Sequence, residues 1–469
     1  MKIAMIFGKG LDGCGVQRGA VEIATWAQRN DVQFDIYSMK GRAFARAKGH
    51  SMPTDPIEFK HTDIPEITNK LNNNYDIVIL NSYPSSKHSQ EAIMMFYEGL
   101  VKKIEKPVLV GMMHEIKKAN IDAIPMIIPM LNYCDLVYNF SEKTFFSKQL
   151  TSYLPSKSLG ERMKRFKMWL DLREIESNYR NKYSLENKDK KLTYVGRWTS
   201  MKDPRRLLDL HPIIKEIDPN FHLALHGIER SIGAKYDIID HPNSNYIFKF
   251  DGTYDWTQPG VPTYGPYVHA EGMKIISESL FGASFYRLPK EPHNYGDRME
   301  YTQIEIIGCG TIPVFDKHYG EHNIDSNGNR YIDNDYLAVW SCRDDLEGTA
   351  EELVRIANDA SEQKRYRDSS FEFINREFNA DNVLPEMFDY ILKIGKDNNK
   401  FSDDKSLLEH LFKTNKVYDD YTNILSNDRI PAVGIKQIDT QTLCQFEKKA
   451  RREVACYKIK KQRKRRKKS

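Results

Sequence analysis

Apolar runs of strand length, each leading through a turn into a helical pattern, recur along this chain and constrain it more than any other feature. Lys2–Phe7 (KIAMIF), Tyr75–Asn81 (YDIVILN), Pro107–Met113 (PVLVGMM) and Cys134–Phe140 (CDLVYNF) are almost unbroken apolar segments. Strands that lack alternation are buried on both faces, as in a parallel sheet covered by helices on either side. Val32–Ser38 (VQFDIYS) alternates and reads as the second strand. The pattern restarts at Lys191–Val195 (KLTYV), followed by Gly196-Arg197, a loop and a helix from about Pro204. Phe221–His226 (FHLALH) and Thr311–Phe315 (TIPVF) are further strands, and Glu347–Asp359 is an amphipathic helix. The expected fold class is α/β, with two Rossmann-like domains facing a central cleft. Doubly wound sheets of this kind bind ligands beyond the C-terminal ends of their strands.

Length supports the division. At 469 residues the chain is too long for one ordinary core, and domains of roughly 150–200 residues are the usual solution. The expected boundaries are 1–154 for the first domain, 155–190 for a helical connection, 191–395 for the second domain and 396–469 for an extension. Asp255–Pro266, with its Pro, Gly and Trp, reads as an irregular insertion. A composition of 40% hydrophobic and 29% charged residues excludes a disordered chain. No apolar run approaches the ~20 residues that cross a bilayer. Lys2–Phe7 runs straight into a glycine loop, unlike a signal peptide, so no membrane partner is expected. Six cysteines (Cys14, Cys134, Cys309, Cys342, Cys444, Cys456) show neither CxxC spacing nor a His/Cys cluster, which predicts reduced thiols and no metal site. The net charge of +5 averages unlike parts: Cys456–Ser469 (CYKIKKQRKRRKKS) has nine Lys or Arg and no acid, leaving the remainder near −4.

The turn GLDGCGV opens a helical pattern, Gln17 to Arg29, so backbone N–H groups and a positive helix end converge near Gly13 and Gly15. That geometry suits a diphosphate, although glycine turns after a first strand also occur as plain tight turns. Arg197 and Lys202 stand at the end of the second domain's first strand, where two cations stabilise a departing anion. With Arg205 and Arg206 close by, they equally read as solvated surface charge. Glu305 sits on a helix that ends in Gly-Cys-Gly-Thr, projecting a carboxylate toward the cleft, where it can bind ribose hydroxyls. Glu300, five residues earlier, lies roughly 140° away around the helix and reads as a cap or a solvent-facing group. His114 and Glu115 follow PVLVGMM, placing an imidazole and a carboxylate where they hold hydroxyls or move a proton. A glutamate starting a helix is also favourable by itself. Glu22, on the first helix, reads as part of a solvated face. Lys40–Lys48 (KGRAFARAK, with Arg42, Arg46 and Lys48) and Lys157–Lys167 (KSLGERMKRFK, with Lys164 and Arg165) interleave cations with aromatics. Such segments grip nucleic-acid phosphates without reading sequence, or are simply solvated.

GLDGCGV, the Met-His-Glu after PVLVGMM, GRWTSMK, GIERS at Gly227–Ser231 and EYTQIEIIGCGTIPVF at Glu300–Phe315 together resemble the DNA alpha-glucosyltransferases of T-even-type bacteriophages. The resemblance covers roughly residues 1–395 in the same order and spacing, and its last block also resembles the donor-site signature of retaining GT-B glycosyltransferases in general. It implies a GT-B fold and retaining transfer of glucose from UDP-glucose to 5-hydroxymethylcytosine in duplex DNA, with no metal required. The implied setting is the cytoplasm of an infected bacterial host, where the modification protects phage DNA from nucleases. By residue, it implies that Gly13 and Gly15 face the diphosphate and that Arg197 and Lys202 bind and neutralise it. Glu305 would hold the ribose, Gly310 and Thr311 would cap the nucleotide, and Glu229 and Arg230 would lie beside the uracil. His114 and Glu115 would lie at the sugar and the acceptor, Glu115 being one methylene longer than the family's aspartate. The chain after Lys396 has no counterpart in the resemblance. A pentose donor such as UDP-arabinose, and a glycan or lipid acceptor on the same fold, remain alternatives. A non-enzymatic DNA-binding protein on a decayed transferase fold is opposed by the intact Arg197, Lys202 and Glu305.

Overall fold

The computed structural model describes residues 1–7, 15–39, 55–82, 95–113, 133–139, 163–165, 167–198, 202–229, 247–248, 254–255, 263–264, 269–285 and 299–396. The first sheet contains β1 (Lys2–Phe7), β2 (Gln33–Met39), β3 (Ile57–Phe59), β4 (Ile77–Ser82), β5 (Val108–Met113), β6 (Leu136–Asn139) and β7 (Met163–Arg165). Their spatial order is β3-β2-β1-β4-β5-β6-β7, and every neighbouring pair is parallel. Helix α1 (Gly15–Arg29) joins β1 to β2, and α2 (Ile64–Asn74) joins β3 to β4. From Ile3 to Phe7 every side chain of β1 is buried, as an apolar strand covered on both faces requires.

The second half begins after a single helical turn, α3 (Leu172–Ile175), with β8 (Asp189–Trp198), α4 (Arg205–Ile217) and β9 (His222–Glu229). A separate antiparallel pair, β10 (Ile247–Phe248) and β11 (Tyr254–Asp255), precedes β12 (Thr263–Tyr264). Then come α5 (His269–Glu278), β13 (Ser279–Ser284), α6 (Tyr301–Gly308), β14 (Ile312–Asp316), α7 (Lys317–His322) and β15 (Val339–Ser341). The sheet order is β12-β9-β8-β13-β14-β15, again parallel throughout. In both sheets the first strand lies between the second and the fourth, so the strand order reverses beside β1 and beside β8. Ligand crevices form at such points. Of the expected irregular insertion at Asp255–Pro266, the described residues belong to β11 and β12, and the rest lie outside the described set.

The helical connection expected over 155–190 is different. Its described part holds β7, still paired to β6, then short helical turns and the first residues of β8. Three helices close the described part of the chain: α8 (Leu346–Ala357), α9 (Ala360–Phe378) and α10 (Ala380–Ile394). The chain crosses between domains twice at one place, since Leu170 N–H donates to Phe378 O and Ala380 N–H to Leu170 O, both at 2.9 Å. α10 therefore packs back on the first domain, where Phe388 stacks on Trp26 at 5.5 Å and Lys396 Nζ donates to Ile104 O at 2.9 Å. Charge closes the crossing: Arg29 pairs with Asp171 and, at 3.2 Å, with Asp381, which Arg173 also meets at 2.8 Å. One buried apolar cluster runs through this junction, joining Met5 and Trp26 to Trp169, Ile304 and Phe388. Among the described residues no helix is long and apolar enough to cross a membrane.

Candidate active site

Helix α6 carries Glu305 to the seam between the domains. The Glu300 backbone N–H donates to Gln303 Oε1 at 2.9 Å, closing the first turn. Ile304, Ile306 and Ile307 are buried in the apolar cluster that runs through the junction and fix the rotation of the helix. Glu305, only 8% exposed, meets His269 at the first position of α5, with Nε2 2.7 Å from Oε1. An ionised carboxylate only accepts, so in this contact Nε2 carries the proton.

The first domain supplies the facing charges. Arg18 Nη2 on α1 lies 2.6 Å from Glu22 Oε1, and Glu22 Oε2 accepts the Asp171 N–H at 2.6 Å. Burial pushes the Glu22 carboxyl up to about 7 against the opposing pull of Arg18, with Glu305 adding to the rise. Burial also works against the Arg18 charge, yet Glu22 and Glu305 outweigh it and hold its pKa above the ordinary value. Glu22 is thus no part of a solvated face: it is 3% exposed. The close approach depends on Gly19, where a Cβ would stand 3.1 Å from Tyr301 Oη and 3.4 Å from Trp169 Cζ2. The Trp169 indole N–H donates to Gly19 O at 3.0 Å.

Lys202 reaches the same edge from the loop after β8. Its Nζ pairs with the Glu300 carboxylate, so Glu300 does more than start a helix. The next residue, Asp203, is held at φ 38°, in the left-handed region. Such backbone persists where its surroundings over-determine it. Arg206 does this: its Nε and Nη2 lie 3.2 and 3.1 Å from Asp203 Oδ2, and Nη2 lies 2.6 Å from Asp316 Oδ2. Arg206 is buried over the Phe285 ring, 4.6 Å from its centroid. One of the two arginines read as surface charge is therefore the anchor of the loop that carries Lys202.

Arg197 and Glu229 end the adjacent strands β8 and β9, with Arg197 opposite Ile228 and Trp198 opposite Glu229. Gly15 is the first residue of α1. Lys164 and Arg165 lie in β7, and the exposed Lys164 places Nζ 5.0 Å from the centroid of the Tyr390 ring. Gly13, Arg42, Arg46, Lys48, His114, Glu115 and Arg230 lie outside the described residues.

Gly310 and Thr311 are not nucleotide caps. In a βαβ unit the helix runs back against its strands, so the start of α6 is at the cleft and its end is at the opposite edge. Thr311 is fully buried there, its Oγ1 2.7 Å from Ile276 O and 3.2 Å from Ser279 O, both ahead of or at the start of β13. Gly310 turns the chain at φ 66°, and a Cβ on it would stand 2.8 Å from Arg367 Nε. Both residues return the chain from helix to strand.

The sequence reading missed His269, Arg18 and the burial of Glu22. Arg18 and Glu22 are four apart on a helix, a spacing that predicts a pair. Nothing in the residues around His269 singles it out. Among the described residues, His318, Glu321 and His322 of α7 form the group whose potential ligand atoms lie within 4.8 Å of one another. They occupy one partly exposed turn, and the charges gathered at the seam do not draw on them.

Two Rossmann-like sheets meeting at this seam give the molecule the two-domain GT-B architecture. Comparison with known proteins narrows the class: the sequence model of the DNA alpha-glucosyltransferase family matches residues 14–361, and the chain belongs to that family. The DNA alpha-glucosyltransferase of Enterobacteria phage T4 is 25% identical over 411 residues, covering 84% of this chain and 100% of that protein. An alpha-glucosyltransferase solved with UDP and a 13-mer DNA containing a HMU base superposes with a TM-score of 0.70 at 21% identity, covering 84% of this chain and 99% of that one. One solved with UDP-glucose and DNA containing an abasic site gives 0.70 at 22% identity, covering 83% and 99%. The HepE protein of Anabaena, solved with UDP-glucose, shares the fold at 0.53 and 12% identity, covering 84% and 100%.

Proposed function

We propose that this chain transfers glucose from UDP-glucose to the hydroxymethyl group of a modified cytosine in duplex DNA, with retention, in an infected bacterial host. The observation that carries the proposal is the Glu305 carboxylate, held by His269 at the interdomain seam beside Arg18 and Glu22 of the facing domain. Family membership supports it, as do the relatives whose complexes contain UDP or UDP-glucose together with DNA.

In this scheme Glu305 binds the ribose hydroxyls, with Glu229 and Arg230 beside the uracil. Arg197 and Lys202 take up the charge of the departing diphosphate, a role in which fixed cations stabilise the transition state more than the ground state. Gly13 and Gly15 add backbone N–H groups at the positive end of α1. His114 and Glu115 hold the sugar and the acceptor. Arg42, Arg46, Lys48, Lys164 and Arg165 contact phosphates, which position the duplex without reading bases. The bond from the anomeric carbon to the diphosphate oxygen breaks and the bond to the acceptor oxygen forms on the same face. The acceptor's proton passes to the leaving phosphate or to a cleft carboxylate. The target base must leave the stack to reach the cleft, which costs a few kcal/mol that pocket contacts offset.

The test is mass spectrometry of nucleosides after incubation of hydroxymethylcytosine DNA with a panel of UDP-sugars. A hexose increment from UDP-glucose is expected. A pentose increment would assign the donor to UDP-arabinose instead, and no increment from any donor would overturn the DNA acceptor. Arg197→Ala and Glu305→Ala should each lower transfer by about a hundredfold or more, the scale seen when one preorganised electrostatic group is removed, while DNA retention persists. Transfer surviving both substitutions would sink the donor-site assignment.

A further inference from the structure

We infer that His269 is a positioning residue for the donor: by holding Oε1 of Glu305 it fixes the plane of the carboxylate against which the nucleotide's ribose hydroxyls dock. The inference rests on the proposal that Glu305 binds the ribose. The 2.7 Å separation is that of a charge-assisted hydrogen bond. It joins two elements rather than two neighbours in sequence, because His269 opens α5 and Glu305 lies within α6. A carboxylate oxygen has two lone pairs, so Oε1 accepts from His269 and still accepts from a hydroxyl, while Oε2 is presented beside it.

The helix that carries the imidazole is itself well anchored. Met273 and Ile276 of α5 are buried, and the far end of the helix is pinned where Ile276 O meets Thr311 Oγ1 at 2.7 Å. Lys188 Nζ, bonded to Ser277 O and 3.2 Å from Thr311 Oγ1, ties α5 to the start of β14. Thr311 thus serves the donor site from the opposite edge of the sheet, by setting α5 against α6.

The neighbouring charges show why a donor from the second domain matters. Arg18 attracts Glu305 and Glu22 repels it, and both belong to the first domain. Arg18 Nη2 also meets Glu22 Oε1 at 2.6 Å, so its charge is shared between the two carboxylates. A glutamate has three side-chain torsions to fix. His269 gives the carboxylate a hold from its own domain.

Calorimetric titration of UDP, and of UDP lacking both ribose hydroxyls, tests this on the full chain and on His269→Ala, His269→Gln and Glu305→Ala. The ratio of the two affinities within each variant reads the ribose contact alone, so a change in folding cancels. For the unsubstituted protein the hydroxyls should contribute about tenfold or more, on the scale of hydrogen bonds to a charged group. In His269→Ala that ratio should fall to within about threefold of unity, and His269→Gln, whose amide N–H can reach the same oxygen, should restore part of it. In turnover, His269→Ala should raise KM for UDP-glucose about tenfold and leave kcat within about threefold. If His269→Ala keeps the full ratio while Glu305→Ala loses it, the positioning role is wrong and the ribose role of Glu305 stands. If Glu305→Ala also keeps it, the ribose assignment fails and this inference with it.

Discussion

Lys188 is an almost dehydrated amine on the sheet edge away from the cleft, held by the Ser277 and Cys309 carbonyls and the Thr311 hydroxyl. Burial pulls its pKa down from 10.5 to about 7; the neighbouring Cys309 opposes this, while Arg367 and Arg180 reinforce it. Between those values the unfolded chain keeps a proton that the native protein has released, so Lys188 makes stability rise with pH through that window. Its cost is complete below about pH 7 and vanishes above the unfolded pKa. Urea unfolding at about pH 7 and about pH 9.5 should therefore show the unsubstituted protein gaining on Lys188→Met as pH rises. A gap independent of pH would show that the amine is not shifted. Nothing in the sequence around Lys188 hints at this, because its burial depends on where α5, β13 and β14 meet. The same limit explains the site residues. That Glu305 faces the seam is legible because a carboxylate ahead of a glycine turn is a local pattern. The burial of Glu22 is not, since what buries it is the crossing at Asp171, far away in sequence. Thr311 was assigned to the wrong edge because a motif does not say which end of its helix faces the ligand.

Strand β13 shows what packing asks of an element. Its residues, SLFGAS, are all buried in the middle of the second sheet, yet three of them are serine or glycine. Two of these have a visible packing reason. Ser279 Oγ shares a hydrogen bond with Thr193 Oγ1 at 2.7 Å, and Gly282 makes room for α6. A Cβ at Gly282 would stand 2.8 Å from Ile306 Cγ2 and 3.3 Å from Thr311 Cγ2. Gly282→Ala should cost about 1–3 kcal/mol through overpacking, measured by urea unfolding. Because Ile306 is the residue after Glu305, the same substitution should also raise KM for UDP-glucose. A loss of stability with KM unchanged would mean that the strain is absorbed before it reaches the carboxylate. β13 is hard to read from sequence for the reason that makes it work, since its small and hydroxyl residues interrupt the apolar run. β1, β4, β5 and β6 were legible because hydrophobicity alone suits a strand covered by side chains on both faces. β7 and β15, of three residues each, exist because a neighbour offers a partner, and pairing leaves little trace in sequence.

At the scale of the whole molecule, charge is segregated in a way that the folded domains alone do not explain. The nine cations of Cys456–Ser469 lie beyond the family match, which ends at residue 361, and without them the chain carries about −4. A body of that charge has no net attraction for a polyanion, so its contacts with DNA must be local, while the terminal segment adds a long-range pull. Each cation that displaces a counterion from duplex DNA adds about 0.9 to the slope of log affinity against log salt. Removing residues 456–469 should therefore flatten that slope by several units and weaken binding most at low salt. Cations that meet phosphates read no bases, so the loss should be equal for modified and unmodified duplex. UDP affinity should not change, because every proposed donor residue lies within residues 1–395, outside the removed segment. Fluorescence anisotropy across a salt series, with both duplexes and both protein lengths, measures the slope and the modified-to-unmodified ratio, and calorimetric titration measures the UDP affinity. An unchanged slope would show that the terminal cations do not touch DNA. A loss confined to modified duplex would place them at the target base rather than along the backbone.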